Sequence, residues 1–154
     1  MSIENNASSV WKLKENLPSV SGSGEGCIDA VVAELAARGW DDGDQYAMRL
    51  ALSEALENAV EHGNRRDSSK QIHLSVEIDD ARALASVRDE GPGFAFAETP
   101  DPTLEENIGK MTGRGLFLIR SFMTNVWHNE VGNVIYLEKK PGSNQEEAKE
   151  EVAS

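Results

Sequence analysis

The chain has 154 residues, 39% hydrophobic and 27% charged, enough for one buried core but not for two. Twenty-seven acidic residues against fifteen basic ones give a net charge of −12, without the Lys/Arg clusters of a nucleic-acid surface, so any macromolecular partner is expected to be a protein. No apolar run approaches the ~18 residues of a membrane helix, residues 1–9 lack the layout of a secretory signal, and the single Cys27 excludes an internal disulfide. A cytoplasmic protein without a membrane span is expected.

Residues 1–9 are polar and read as a flexible N-terminus. Trp11, Leu13 and Leu17 alternate in a short segment suited to an edge strand. The Ser21-Gly22-Ser23-Gly24 stretch interrupts the chain before a helix from Cys27 to Arg38, closed by Gly39. Cys27, beside Ile28, Val31 and Val32, reads as a small core residue. Trp40, at a helix junction, is expected to be exposed. A second helix starts among the acids Asp41 to Asp44, which suit the positive end of its dipole, and runs to His62 before Gly63-Asn64. At ~100° per residue, Met48, Leu52, Ala55, Leu56, Ala59 and Val60 share one face, with Glu54 and Asn58 along its border. His62 continues that row and is expected to cap or pack the helix end in preference to touching phosphate or a lid, while Glu57 and Glu61 face solvent or a partner.

Ile72, Leu74, Val76 and Ile78 alternate with polar residues as a half-buried strand does, Asp79-Asp80 makes a turn, and a second strand leads from Leu84 to Asp89. The Gly/Pro-rich stretch from Gly91 to Gly113 is too long for an ordinary connection, which marks it as functional or mobile. A helix from Arg114 to about Thr124 follows, then two strands, Asn125 to Glu130 and Val134 to Glu138, joined at Val131-Gly132-Asn133. Trp127 is expected to pack near the start of the first. Residues 141–154 form an acidic tail expected to be disordered. Helices first and a mixed, mostly antiparallel sheet afterwards predict an α+β, two-layer sandwich with its helices on one face.

Three stretches carry chemistry. In Ser53-Glu54-Ala55-Leu56-Glu57-Asn58-Ala59-Val60-Glu61-His62-Gly63, one helical turn sets the Glu54 carboxylate beside the Asn58 amide. A neutral amide oxygen among phosphates and waters suits Mg²⁺, and a carboxylate nearby can orient or deprotonate a nucleophile. In Asp89-Glu90-Gly91-Pro92-Gly93-Phe94, a strand-end carboxylate can accept an amino group, and Gly91 and Gly93 let backbone approach a ligand. In Thr112-Gly113-Arg114-Gly115-Leu116, glycines open a helix whose N-terminal N–H groups suit phosphate, with Lys110 or Arg114 supplying charge. Taken singly, these stretches are an ordinary polar helix face, a turn and a loop-to-helix junction.

Their order is what distinguishes them. A helix with ExxxN, a strand ending in DxGxG, a long loop and a GxG helix start resemble the N, G1 and G2 boxes of GHKL ATPases, over Ser53 to Thr124. The detail through His62-Gly63 is similar to the stand-alone anti-sigma-factor serine-protein kinases of partner-switching systems. That resemblance implies a GHKL domain over residues 10–140 that takes ATP and Mg²⁺. It implies Glu54 as general base, Asn58 as Mg²⁺ ligand and Asp89 as adenine contact. Gly91 and Gly93 would shape the G1 turn, residues 94–112 the ATP lid, and the Lys110, Thr112, Gly113, Arg114, Gly115 and Leu116 segment the phosphate site. The implied partners are a STAS-domain anti-sigma antagonist, phosphorylated on serine, and a sigma factor, with the kinase a homodimer. A binding module that senses ATP without transferring phosphate, or a regulator of a non-sigma partner, is the alternative.

Overall fold

The computed structural model of the chain describes residues 9–91 and 113–142, and the side chains of 113–115 fall outside it. Five strands are described: β1 (Trp11–Pro18), β2 (Gln71–Ile78), β3 (Ala83–Arg88), β4 (Asn125–His128) and β5 (Val134–Lys139). They form one sheet in the order β1-β2-β3-β5-β4, and each of its pairings is antiparallel. The 71–78 alternation is realised residue by residue: Ile72, Leu74, Val76 and Ile78 are buried, and the residues between them are half-buried or exposed. Their cross-strand partners Ala83, Ala85 and Val87 face the same way, as Leu137 does beyond them. β1 is an edge strand, as its pattern suggested, paired with β2 from Trp11↔Ile78 to Pro18↔Gln71.

Three helices, α1 (Glu25–Ala37), α2 (Asp42–Asn58) and α3 (Gly113–Phe122), supply the second layer of the predicted sandwich. α2 starts as its acids suggested: the Asp41 carboxylate caps it, accepting the Asp44 N–H at 2.8 Å. Its buried face (Ala47, Met48, Ala51, Leu52, Ala55, Leu56) is rich in alanine, which lets neighbouring elements approach closely. α1 buries Ile28, Val31 and Leu35. Cys27 is half-buried against that core rather than inside it, and burial raises its thiol pKa, with a further push from Glu15.

Trp40 differs from expectation. Gly39 takes a left-handed φ of +85°, the Trp40 N–H returns to the Leu35 carbonyl at 3.0 Å, and the indole lies in the core with 5% of its surface exposed. Trp127 is 41% exposed and stacks on Tyr136 across the β4–β5 pair, with ring centroids 5.3 Å apart. Residues 1–8 and 143–154, where the flexible terminus and acidic tail were expected, lie outside the described residues, as does the expected lid.

Near the start of α2, a lysine closes the core. Lys139, fully buried at the end of β5, lies 3.7 Å from Asp44 Oδ1, while Asp44 Oδ2 accepts the Gly142 N–H at 3.0 Å. Oδ1 receives no hydrogen bond among the described residues, and burial raises the Asp44 pKa despite the lysine. Breaking a buried pair costs more than the pair contributes, because one charge is left stranded. Lys139→Met is therefore expected to lose about 3 kcal/mol in urea unfolding, and Asp44→Leu with Lys139→Met to recover most of it. An unchanged midpoint for the single variant would show that the lysine does not hold this corner.

Candidate functional site

The end of α2 is wound differently from its body. Ala59–Gly63 form a π-helical turn, in which the Asn64 N–H reaches back to the Ala59 carbonyl at 2.8 Å. Such a turn carries an extra residue and is frequent at functional sites. It brings Glu61, His62 and Gly63 to one side of a cavity of about 380 Å³, which Asn58 and Arg65 also line. Val87 and Asp89, from the end of β3, form another wall, and Leu116 of α3 contributes beside them. Because β5 lies between β3 and β4, the 132–135 segment and His128 complete the lining.

Asp89 sits where helix end and strand end meet. Its N–H donates to the Asn133 carbonyl at 3.0 Å, its Oδ1 accepts the Gly91 N–H at 2.9 Å, and it is 9% exposed. A Cβ at Gly63 would overlap the Asp89 carboxylate, and one at Gly91 would overlap the Gly63 carbonyl oxygen. Glycine is required at both places for want of space. Burial raises the Asp89 pKa, opposed by the Gly91 N–H. His128 opposite is held neutral at pH 7, its pKa lowered to about 4 by burial first and then by Arg120. Neutral imidazole, Val87, Ile135, Leu116, Ala55 and Ala59 make much of this wall uncharged, which suits an aromatic base better than phosphate.

The three predicted stretches fare differently. Asn58 and Asp89 line the same cavity, Leu116 joins them, and Gly91 abuts Gly63 beneath it. Glu54 is half-buried one turn before Asn58 and is not part of the lining. Gly113 and Gly115 lie in the first turn of α3. Gly93, Lys110 and Thr112, like the side chain of Arg114, lie outside the described residues. His62 is exposed at the cavity wall, where packing or capping was expected, and Glu61 lines the cavity while pairing with Arg66 at 3.2 Å. Glu57 instead accepts the Ser21 hydroxyl at 2.8 Å. His128 and Asn133 had no local signal, since they reach the site through strand order.

A two-layer α+β sandwich with an ExxxN helix and a strand-end aspartate on one cavity has the form of a nucleotide-binding ATPase domain. The chain belongs to the histidine kinase-like ATPase domain family, which it matches over residues 25–139. It is 32% identical over 102 residues to an anti-sigma F factor of Geobacillus sp. (strain WCH70), covering 60% of this chain and 66% of the relative. It is 33% identical over the same length, with the same shares, to the anti-sigma F factor of Geobacillus thermodenitrificans (strain NG80-2). For that of Bacillus subtilis (strain 168) the figures are 29%, 60% and 66%. The match thus spans just under two thirds of these relatives. The fold also resembles a crystal structure of the RsbU and RsbW domains of Rv1364c from Mycobacterium tuberculosis, with a TM-score of 0.58 and 23% identity, covering 85% of this chain and 32% of that one.

The raised Asp89 pKa carries a stability cost. Folding favours its protonated form, so the cost is present at pH 7 and disappears as pH falls through the folded pKa toward the ordinary value near ~3.9. Asp89→Asn removes the charge and keeps an acceptor for the Gly91 N–H. Its Tm is expected to exceed the parent's at pH 7 and to converge with it in acid. Calorimetry that finds the variant less stable at pH 7 would contradict a burial-dominated carboxylate.

Proposed function

We propose that the protein is an ATP-dependent serine-protein kinase of the partner-switching kind, which phosphorylates a STAS-domain anti-sigma antagonist and holds a sigma factor, as a cytoplasmic homodimer. The observation that carries this reading is that Asn58 and Asp89 line one cavity, much of whose wall is uncharged. Adenine would donate its N6 amino group to the Asp89 carboxylate, and its face would lie near Val87, Ile135 and His128. The relatives named anti-sigma F factor support the sigma-binding half of the reading.

Mg²⁺ fits the donors present. The described residues hold no cluster of three or more acidic, Cys or His ligands, and Mg²⁺ keeps several waters and binds substrate phosphates beside one or two protein oxygens. Asn58 Oδ1 would be that protein ligand, and the ion would offset negative charge on the phosphates. Transfer forms a bond from the serine oxygen to the γ-phosphorus and breaks the bond to the β–γ bridging oxygen, releasing ADP. Glu54 takes the hydroxyl proton. Lys110, Thr112, Gly113, Arg114 and Gly115 would surround the transferred group, with the first turn of α3 presenting N–H groups.

The second reading, an ATP-sensing binding module without transfer, is favoured by one observation: Glu54 does not line the cavity. Labelled ATP and a STAS protein separate the two. The parent is expected to yield phosphoserine and Asn58→Ala none. Glu54→Ala is expected to bind MgATP within about threefold of the parent and to transfer at least ~100-fold more slowly, the lower end of a general base's contribution. Normal transfer by Glu54→Ala would remove that residue as the base. ATP-dependent partner binding without phosphoserine in the parent would establish the second reading.

A further inference from the structure

Three consecutive N–H groups follow the end of β3, beyond the ladder that held the residues before them. Asp89 donates to Asn133 on the neighbouring strand, and Gly91 donates to the Asp89 carboxylate within the turn. The middle one, Glu90 N–H, leaves the sheet and donates to Asn64 Oδ1 at 2.7 Å. Asn64 follows the π-helical turn immediately and is fully buried. Its Nδ2 hydrogens donate to Ser19 Oγ and to the Gln71 carbonyl, each at 3.0 Å. One amide thus joins the segment after β1, the end of α2, the start of β2 and the turn that carries Asp89.

The orientation of that amide is determined by its partners. Glu90 N–H can only donate and the Gln71 carbonyl can only accept, so oxygen and nitrogen cannot be exchanged. Both Nδ2 hydrogens and Oδ1 are used, which a fully buried amide requires. Leucine would strand the Glu90 N–H, and aspartate would lose both donors. The side chain of Glu90 is held as well: Oε1 accepts the Gln71 N–H at 3.2 Å, and Oε2 lies 2.7 Å from His73 Nε2. Those contacts tie Glu90 to the sheet, whereas the Asn64 bond ties it to the helix layer, from which Asn58 and the π-helical turn line the cavity.

Close packing alone does not fix this relation. Gly63 and Gly91 allow the helix end and the turn to touch, but dispersion contact has no direction and by itself leaves freedom of orientation. A directional bond of 2.7 Å one residue from Asp89 removes that freedom. We propose that Asn64 is a positioning residue for base recognition: its amide holds the Asp89-Glu90-Gly91 turn against the end of α2, so that the Asp89 carboxylate meets the base rather than drifting along the cavity wall. This role rests on the reading of the cavity as an ATP site. It predicts that the main effect falls on recognition of the base, because the Asn64 amide bonds the Asp89 turn directly and reaches Asn58 only through the π-helical turn.

The test is competition binding of MgATP and MgGTP to the full chain. Guanine presents a carbonyl where adenine presents the amino group, so the ratio of the two affinities reads the Asp89 contact. Asn64→Ala is expected to shrink the preference for ATP about tenfold, the size of one lost oriented hydrogen bond, and to leave MgGTP affinity within about twofold. Asp89→Asn is expected to shrink it too, and the double variant to lose no more than Asp89→Asn alone. Equal weakening of both nucleotides, full additivity in the double variant, or an unchanged ratio would each overturn the role. Should Asn64→Ala fail to fold, amide hydrogen exchange in the parent decides: Glu90 N–H is expected to be protected without ligand, and exchange at the rate of a free peptide would overturn the proposal. A parent chain that takes up no MgATP defeats the reading of the cavity, whereas a parent that prefers ATP and an Asn64→Ala variant that prefers it equally defeat only Asn64.

Discussion

The site depends on how closely the end of a helix can approach the end of a strand. Gly63 and Gly91 leave out side chains that would hold the π-helical turn and the Asp89 turn apart, and the Asp89 carboxylate and the Gly63 carbonyl occupy the space. That contact sets the two halves of the cavity wall against each other, with Asn58 one turn back along α2 and Val87 two residues back along β3, while strand order adds His128 and Asn133 across the sheet. The approach has a cost. It buries a carboxylate whose pKa rises in consequence, and it needs a helix end wound with one residue more per turn. Structural cost concentrated where ligands bind is characteristic of functional sites.

Polar groups close the frame around this contact. Asn64 satisfies its amide among three other chain segments, and Glu90 adds its carboxylate between the Gln71 N–H and His73, whose imidazole lowers the Glu90 pKa. At the other end of α2, Asp41 caps the helix while the buried Asp44 faces Lys139. The helix that lines the cavity is therefore anchored at both ends by directional contacts, with an alanine-rich face between them lying on the sheet. Such anchoring lets a small domain with a modest core hold side chains in fixed relation.

Much of this was legible in the residues. The period-two alternation of 72–78 and the apolar stripe from Met48 to Val60 depend only on neighbours in the chain, and both became the elements they predicted. So did the edge strand at Trp11 and the helix opening at Gly113. The misses share one cause. Trp40 turned inward because Gly39 reverses the chain, and His62 reached the cavity because the helix ends in a π turn. His128 and Asn133 entered it because β5, not β4, pairs with β3. Asn64 carried no signal at all, since its partners lie at positions 19, 71 and 90. Local pattern specifies elements; which ends meet is decided by the order in which strands pair.

A single nucleotide site here depends on a base-sized cavity shared by the end of α2 and the end of β3. Its most direct measurement is a backbone amide titration by NMR, adding MgATP to the full chain. Large shifts are expected together at 58–65, at 89–91 and at 128–135, saturating along one binding curve. Shifts confined to one of these stretches, shifts that saturate separately, or a spectrum that ATP leaves unchanged would contradict a single nucleotide site at this junction.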